Sequence, residues 1–321
     1  MKIGILSRNR SLYSTRRLVQ TGQARGHEVV IIDTMTVAVE MGQPTEQNQI
    51  KVILPHTHLP RKWGIMAHKV QYVAAVDAII PRIGSSVTEY GLAVVRQFER
   101  QQVLTTASAE AIAQSRDKLR SMQLMMEHKL PTPKTAVIAN PAALYPAVQA
   151  VGGLPVIIKL IQGTQGNGVI LARNLATVAA VMDKIQGARR QALIQEFIAE
   201  SAGKDWRLII VGDQCVAAME RQAVTEGEFR SNLHLGGTAV PITPDRATVQ
   251  LAVTAARAHG LYVAGVDIVP SKRGPLLLEV NSSPGLEGIE SVTGEDVAAR
   301  IIEYLENARR MRHQGTTRHR S

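Results

Sequence analysis

The chain has 321 residues, a formal net charge of +10, and only 3% aromatic residues among 45% hydrophobic ones. This length suffices for two or three domains, and no apolar run approaches the roughly 18–20 residues of a membrane-spanning helix. The apolar start is too short for the core of a signal peptide. The single cysteine, Cys215, excludes an internal disulfide and is expected to be an inert thiol in an apolar strand. We therefore expect a soluble, cytoplasmic protein.

The first hundred residues alternate between strand and helix. Strands are predicted at residues 1–6 and 28–33, with a helix between them that ends at Arg25-Gly26-His27. A further strand at 76–82 precedes a helix at 90–100. This order is typical of a small parallel α/β domain.

Residues 41–72 interrupt this pattern and show little periodicity, so we interpret them as a loop insertion. His56, His58 and His68 lie within the segment and suggest zinc. No cysteine supports that interpretation, and we do not predict a metal site there.

The remainder of the chain favours antiparallel hairpins mixed with helices, an α+β organisation. A helix at 109–129 is interrupted at Asp117 and Lys118 and ends at the prolines of 131–133. The other predicted strands are 155–161, 169–172, 192–198, and a hairpin of 206–211 with 214–221 that turns at Gly212-Asp213. The other predicted helices are 175–186, 245–259 and 294–309.

The segment 263–285 reads as a β-hairpin that carries two acids and an amide, Asp267, Glu279 and Asn281. Glu279 and Asn281 are two apart and share a strand face. Asp267 joins that face if it lies opposite Glu279, which an odd loop such as Lys272-Arg273-Gly274 allows. Such a cluster of hard oxygen ligands suits Mg²⁺, whereas the alternative is a solvated polar face on an edge hairpin.

Glycines at 163, 166 and 168 form a loop between two strands, directly after Lys159. No helix follows, so neither a dinucleotide fingerprint nor a Walker loop fits, and the H-R-D and D-F-G elements of a protein kinase are absent from the sequence. The remaining interpretations are an ordinary glycine-rich hairpin or a flexible hairpin whose backbone N–H groups approach phosphate above Lys159.

Two further segments offer polar groups to a nucleotide. The strand end at Glu196 and Phe197 can present backbone amides to an adenine edge, and Asp205 can accept hydrogen bonds from a ribose. Arg230, Ser231 and Asn232 interrupt a weakly apolar segment and suggest a loop that faces phosphate or substrate.

These motifs occur in one order: RDKLRSMQ, KLIQGTQGNGV, QEFI, ERQ, GEFRSNLHLGG, AGVDI and LLLEVNSSPGLEGIE. In this order the chain resembles the ATP-grasp superfamily and, within it, the RimK family of α-L-glutamate ligases, from residue 1 to about 308. The resemblance implies an α/β N-terminal domain over 1–105 and an α+β ATP-grasp domain over 106–307. Its two antiparallel-sheet subdomains, about 122–190 and 191–307, would clamp the nucleotide.

The resemblance also implies the roles of particular residues. Lys118 and Lys159 would contact ATP phosphates, Glu196 and Phe197 would line the adenine, and Asp205 would hold the ribose. Arg230, Ser231 and Asn232 would complete the nucleotide site. Asp267, Glu279 and Asn281 would bind two Mg²⁺ or Mn²⁺ ions, with Glu279 bridging. Arg221, on a strand approaching the site, is our candidate for stabilising the tetrahedral intermediate, although it could equally be a strand-end surface arginine.

The implied reaction is ATP-dependent addition of L-glutamate to the C-terminal carboxylate of a ribosomal small-subunit protein, or to poly-α-glutamate, in a homo-oligomer, a tetramer by resemblance. The alternatives are a related ligase that acts on a small-molecule carboxylate, and a non-catalytic basic protein that binds RNA or ribosomes. Residues 308–321 hold five arginines and no acid. We expect them to form a disordered basic tail that can attract an acidic partner.

Overall fold

The computed structural model describes residues 1–39, 50–54, 69–72, 75–160, 169–188, 191–201, 203–223 and 237–318. The elements of the first part are β1 (Lys2–Leu6), α1 (Tyr13–Ala24), β2 (Glu28–Ile32), β3 (Val37–Val39), β4 (Ile50–Leu54), β5 (Lys69–Tyr72), β6 (Ala78–Pro81), α2 (Thr88–Arg100), β7 (Leu104–Thr105), α3 (Ala109–Arg116) and α4 (Lys118–Glu127). Those that follow are β8 (Thr135–Ile138), α5 (Leu144–Ala150), β9 (Val156–Leu160), β10 (Val169–Ala172), α6 (Leu175–Ala188), β11 (Ala192–Glu196), β12 (Lys204–Val211), β13 (Gln214–Gln222), β14 (Thr238–Pro241), α7 (Arg246–Ala258), β15 (Val263–Val269), β16 (Leu276–Asn281), α8 (Glu287–Thr293) and α9 (Val297–Arg318).

The N-terminal part is built on a parallel sheet with the strand order β2-β1-β6-β7. Its central strands are apolar on both faces, as expected for a parallel sheet covered by helices on each side. Ile3, Ile5 and Ile80 pack in one core with α1 and α9, whereas Leu6 and Ile79 pack in another with α2. The predicted α/β class is confirmed.

A second, antiparallel sheet has the order β3-β4-β5. The prediction of a loop insertion at 41–72 is therefore wrong for residues 50–54 and 69–72. These strands are short, and the pairing of β4 with Val37–Val39 and of β5 with β4 is a tertiary contact that periodicity does not reveal. His56, His58 and His68 lie outside the described residues.

The predicted interruption of the helix at 109–129 is confirmed by the break between α3 and α4. Asp117 caps α4, its carboxylate accepting hydrogen bonds from the backbone N–H groups of Leu119 at 3.0 Å and Arg120 at 3.1 Å. This cap places Lys118 in the first turn of α4.

Two antiparallel sheets make up the rest, with the orders β10-β9-β11-β8 and β14-β13-β12-β15-β16. In the larger sheet, Leu208 and Ile210 of β12 pack in one core with residues of α7. Ile209 packs on the opposite face with α8 and α9. Because side chains alternate along a strand, Asp205 and Arg207 share the face of Ile209.

The C-terminus differs from its prediction. Instead of one helix at 294–309, α8 ends at Gly294, which has a left-handed φ of +73°, and α9 then continues to Arg318. The expectation of a disordered tail is wrong over 308–318. Arg309 pairs with Asp77 at 3.0 Å and Arg312 donates to the carbonyl of Gln102, so these last turns contact the N-terminal part. Among the described residues, no helix is long and apolar enough to cross a membrane.

Candidate active site

The hairpin of β15 and β16 places three oxygen ligands on one face of the larger sheet. Asp267 lies opposite Glu279, and Asn281 lies opposite Gly265. The predicted shared face is confirmed, but not by the predicted odd loop: at the turn Ile268 pairs with Leu277, and a bulge then shifts the register so that Asp267 meets Glu279.

The turn of this hairpin spans the residues between Val269 and Leu276. Gly274 has a φ of +97°, a left-handed conformation that favours glycine, and its N–H donates to the carbonyl of Ser271 at 3.0 Å. The turn thereby connects β15 to β16, while the bulge sets the register in which Asp267 lies opposite Glu279.

Two arginines hold the carboxylate of Asp267. Arg207, opposite it on β12, donates from Nε and Nη2 at 2.8 and 2.7 Å. Arg221 on β13 approaches the same carboxylate at 3.1 Å and donates to both oxygens of Asp205 at 2.7 Å. The result is a chain of alternating charges across three adjacent strands.

Burial and charge oppose each other in this network. Only 8% of the Asp267 side chain and 3% of the Arg221 side chain are exposed. Burial would raise the pKa of Asp267, but the charges of Arg207 and Arg221 outweigh it and lower that pKa. Burial likewise opposes the charge of Arg221, yet Asp267 and Asp205 raise its pKa. Arg221 is therefore buried, and the alternative that it is a strand-end surface arginine is wrong.

The donor set fits a hard divalent cation. A carboxylate has about four lone-pair sites, and the arginines occupy three of those of Asp267. About one site therefore remains for a cation. Glu279 is exposed and Asn281 is half-buried, so both can turn their oxygens to the same cation. In the described part of the chain, no three His, Cys, Asp or Glu residues are grouped so that they could hold a metal ion; the third oxygen-bearing residue here, Asn281, is an amide.

Lys159 brings the smaller sheet to this face. It lies on β9, opposite Leu193 of β11, and its Nζ donates to Oε1 of Gln195 at 3.0 Å. Burial is the main cause that lowers its pKa, and Lys118 lowers it further, while Glu279 and Asp267 act in the opposite direction. These Coulomb effects mean that Lys118, Glu279 and Asp267 all lie within electrostatic range of Lys159, so a positive charge and two carboxylates surround it.

The remaining predicted residues divide between the rim of the site and undescribed segments. Glu196 ends β11, accepts a hydrogen bond from the backbone N–H of Lys134 at 2.7 Å and pairs with Arg273 of the hairpin turn. The carboxylate of Glu196 is thus hydrogen-bonded and ion-paired, unlike a solvent-exposed carboxylate at the end of a strand. Phe197 follows it and is half-buried. Arg230, Ser231 and Asn232, like the glycines of 163–168, lie outside the described residues.

Sequence reasoning missed Arg207, which binds Asp267 more extensively than any other described residue. The available signal was its spacing: Asp205 and Arg207 are two apart in a strand and so share a face. The thiol of Cys215, by contrast, behaves as predicted, because burial raises its pKa to about 11 and keeps it protonated at neutral pH.

Two antiparallel sheets, with Lys159 on the smaller one and Asp267, Glu279 and Asn281 on the larger one, are the arrangement expected of an ATP-grasp protein. The model of the RimK pre-ATP-grasp domain matches residues 1–112, and that of the RimK-like ATP-grasp domain matches residues 115–305. The chain therefore belongs to the RimK family, and it is an ATP-dependent ligase.

Relatives and solved structures agree with this family. A protein of Nitrosococcus oceani named "Probable alpha-L-glutamate ligase" is 48% identical over 97% of this chain and 98% of its own length. A relative of the same name from Pseudoalteromonas translucida is 46% identical over 95% of both chains.

Among solved structures, the ATP-grasp ligase PsnB in complex with a minimal precursor superposes with a TM-score of 0.69 at 18% identity, over 95% of this chain and 97% of that one. The macrocyclase MdnC with its precursor peptide MdnA, from Microcystis aeruginosa, gives 0.70 at 15% identity, over 96% and 100%. At these identities the likeness shows the fold.

Proposed function

We propose that this ligase joins the amine of L-glutamate to the C-terminal carboxylate of a ribosomal small-subunit protein, or to a growing poly-α-glutamate chain. The name shared by relatives at 46–48% identity supports glutamate as the amine substrate. The net charge of +10 supports an acidic acceptor, because a basic surface attracts a chain that becomes more anionic with each addition.

The observation that carries the proposal is the convergence of Asp267, Glu279 and Asn281 on one sheet face with Lys159 near them. Phosphoryl transfer asks a protein chiefly for positioning and for neutralisation of charge. Both are available here without a dedicated base or nucleophile.

The reaction proceeds in two steps. An oxygen of the acceptor carboxylate attacks the γ-phosphorus of ATP. The bond between this phosphorus and the bridging oxygen of the β-phosphate breaks, ADP departs, and the acceptor is now an acyl phosphate. The deprotonated amine of glutamate then attacks the acyl carbon, and the tetrahedral intermediate expels inorganic phosphate to form a peptide bond. The ammonium proton is lost to solvent.

The residues of the chain have separate tasks in these steps. Mg²⁺ or Mn²⁺, two ions by family resemblance, would be held by Asp267, Glu279 and Asn281 and would neutralise phosphate charge. Lys159 and Lys118 donate to phosphate oxygens and shield the attacking carboxylate from repulsion. Arg221 holds the carboxylate of Asp267 in place and supplies positive charge for the tetrahedral oxyanion.

The test is an incubation of the purified protein with ATP, Mg²⁺, single amino acids and candidate acceptors, followed by mass spectrometry. The acceptors are C-terminal peptides of small-subunit ribosomal proteins and short α-glutamate peptides. The proposal predicts additions of whole glutamyl units to a peptide. Product formed only with another amino acid, or only on a small-molecule carboxylate, would overturn it.

A further inference from the structure

Arg82 lies at the boundary between the N-terminal part and the candidate active site. It follows β6, and its backbone N–H donates to the carbonyl of Leu6 at the end of β1 at 2.9 Å. It therefore stands at the carboxyl edge of the parallel sheet, where α/β proteins commonly bind ligands.

The segment that follows Asn281 folds against this edge. Nη1 of Arg82 donates to the carbonyl of Pro284 at 2.8 Å, and the hydroxyl of Ser283 donates to the carbonyl of Pro81 at 3.3 Å. A Cβ added to Gly265 would lie 2.9 Å from Cβ of Pro284. Because Gly265 pairs with Asn281, Pro284 covers the face of the metal-type ligands, and Arg82 reaches the same face.

Arg82 has no carboxylate partner among the described residues. Burial alone lowers its pKa, to about 10. Burial also lowers the pKa of Arg116, but Arg116 donates to two backbone carbonyls and to the hydroxyl of Thr88. Arg207 and Arg221, by contrast, each pair with aspartates. Arg82 is half-buried, so part of the residue is accessible.

Further arginines lie at the same edge of the sheet as Arg82. Residues 1–27 contain no acid, and Arg8 and Arg10 are exposed in the loop that joins β1 to α1. This loop leaves the same carboxyl edge of the sheet as Arg82. A partly desolvated guanidinium that pairs with no carboxylate among the described residues, with further arginines at the same edge, attracts a carboxylate.

We infer that Arg82 binds a carboxylate of the acidic substrate other than the one that reacts, with Arg8 and Arg10 contributing the attracting field. The planar fork of the guanidinium matches a carboxylate with two parallel hydrogen bonds. Arg82 is then a specificity-determining residue that distinguishes an acidic from a neutral side chain or end group. This inference rests on the proposed function.

The experiment compares the wild type with Arg82→Gln and Arg82→Lys. KM is measured for glutamate at saturating acceptor and for a tri-α-glutamate acceptor at saturating glutamate. A charge-assisted pair contributes enough that its loss corresponds to about 10- to 100-fold. We expect Arg82→Gln to raise one KM by that factor, with the KM for ATP unchanged and Arg82→Lys intermediate. The substrate whose KM rises is the source of the carboxylate.

The control is Arg100→Gln, which removes the same charge from an exposed position on α2. A second measurement offers glutamine in place of glutamate, and peptides that end in glutamine in place of the acceptor. The wild type should prefer the acidic form, and Arg82→Gln should lose that preference. If Arg82 serves only to anchor Pro284, Arg82→Gln will lower kcat and thermal stability but leave both KM values and the preference intact.

That outcome, or an equal rise in KM for Arg100→Gln, overturns the assignment of Arg82. Failure of the proposed function has a different signature, because the wild type itself would then form no glutamyl product.

Discussion

Asp267 is a buried carboxylate whose charge depends on its neighbours. Isolated in this position it would favour the neutral form, and a neutral carboxyl group is a poor ligand for a hard cation. Arg207 and Arg221 keep it ionised and fix its orientation while leaving it room for a further contact. The arginines thus hold this carboxylate ionised and oriented without any bound cation.

Replacing Arg207 tests how far it stabilises the ionised carboxylate of Asp267. Arg207→Gln removes the two parallel hydrogen bonds from the guanidinium and leaves the buried charge of Asp267 paired with Arg221 alone. We therefore expect the free energy of unfolding, measured by urea denaturation, to fall by on the order of 3 kcal/mol. Arg207→Lys keeps the charge without the fork and should recover part of it. Equal stability of the wild type and Arg207→Gln would show that the pair contributes nothing.

At the scale of elements, the hairpin shows what a pattern can and cannot predict. The spacing of Glu279 and Asn281 fixed their common face, because side chains alternate in any strand. The position of Asp267 depended on register, and the bulge that sets it leaves no mark in the sequence. Arg207 was missed for a related reason: its partner is distant in the chain and meets it only through the pairing of β12 with β15.

Gly265 couples the hairpin to the segment that follows it. In Gly265→Ala the new Cβ would collide with Pro284, so we expect a destabilisation of about 1–3 kcal/mol and reduced ligase activity, because the displaced segment carries Asn281 and the acceptor of Arg82. Gly285→Ala is the matched control, since a Cβ there meets no atom within 4 Å. Similar losses in both variants would contradict the coupling.

A buried histidine links α4 to α7. Nδ1 of His259 donates to the carbonyl of Ala255 at 2.8 Å, so Nε2 accepts the hydroxyl of Ser121, also at 2.8 Å. Burial lowers the pKa of His259 below its usual 6.5. Below pH 6.5 the histidine is protonated in the unfolded chain but stays neutral in the folded chain. The free energy of unfolding therefore decreases as the pH falls below 6.5.

The expected loss is at most about 1.4 kcal/mol per pH unit. Urea denaturation at several pH values should show a smaller acid destabilisation in His259→Gln than in the wild type. His128→Gln removes an exposed histidine whose charge also lowers the pKa of His259, so it should reduce the acid destabilisation less than His259→Gln does. An unchanged acid slope in His259→Gln would contradict this account of the link.

At the scale of the molecule, the N-terminal part and the ligase part are joined by buried polar contacts. Glu290 of α8 accepts hydrogen bonds from the hydroxyl of Tyr13 at 2.9 Å, from Nε of Arg17 at 3.2 Å and from the backbone N–H of Ala298 at 2.9 Å. The order of motifs predicted the family and the main sheets. The sheet of β3, β4 and β5 and the length of α9 could not be predicted, because both depend on contacts between distant segments.

The net charge leads to a prediction for the whole surface. Attraction between exposed charges is screened over about 8–10 Å at physiological ionic strength. We expect KM for an acidic acceptor peptide to rise as sodium chloride is added, while the thermal unfolding midpoint stays nearly constant. A KM that does not depend on salt would remove the electrostatic argument for an acidic acceptor.

The central claim is that Asp267, Glu279 and Asn281 bind a divalent cation together with the nucleotide. Calorimetric titration of ADP with and without Mg²⁺ tests it most directly, on the wild type, on Glu279→Gln and on the exposed control Glu127→Gln. Because Glu279 is exposed, its change should alter stability by no more than about 0.5 kcal/mol. We predict that Mg²⁺ strengthens ADP binding in the wild type and in Glu127→Gln but not in Glu279→Gln. The claim would be contradicted if Mg²⁺ did not change the affinity of the wild type for ADP, or if Mg²⁺ strengthened ADP binding as much in Glu279→Gln as in the wild type.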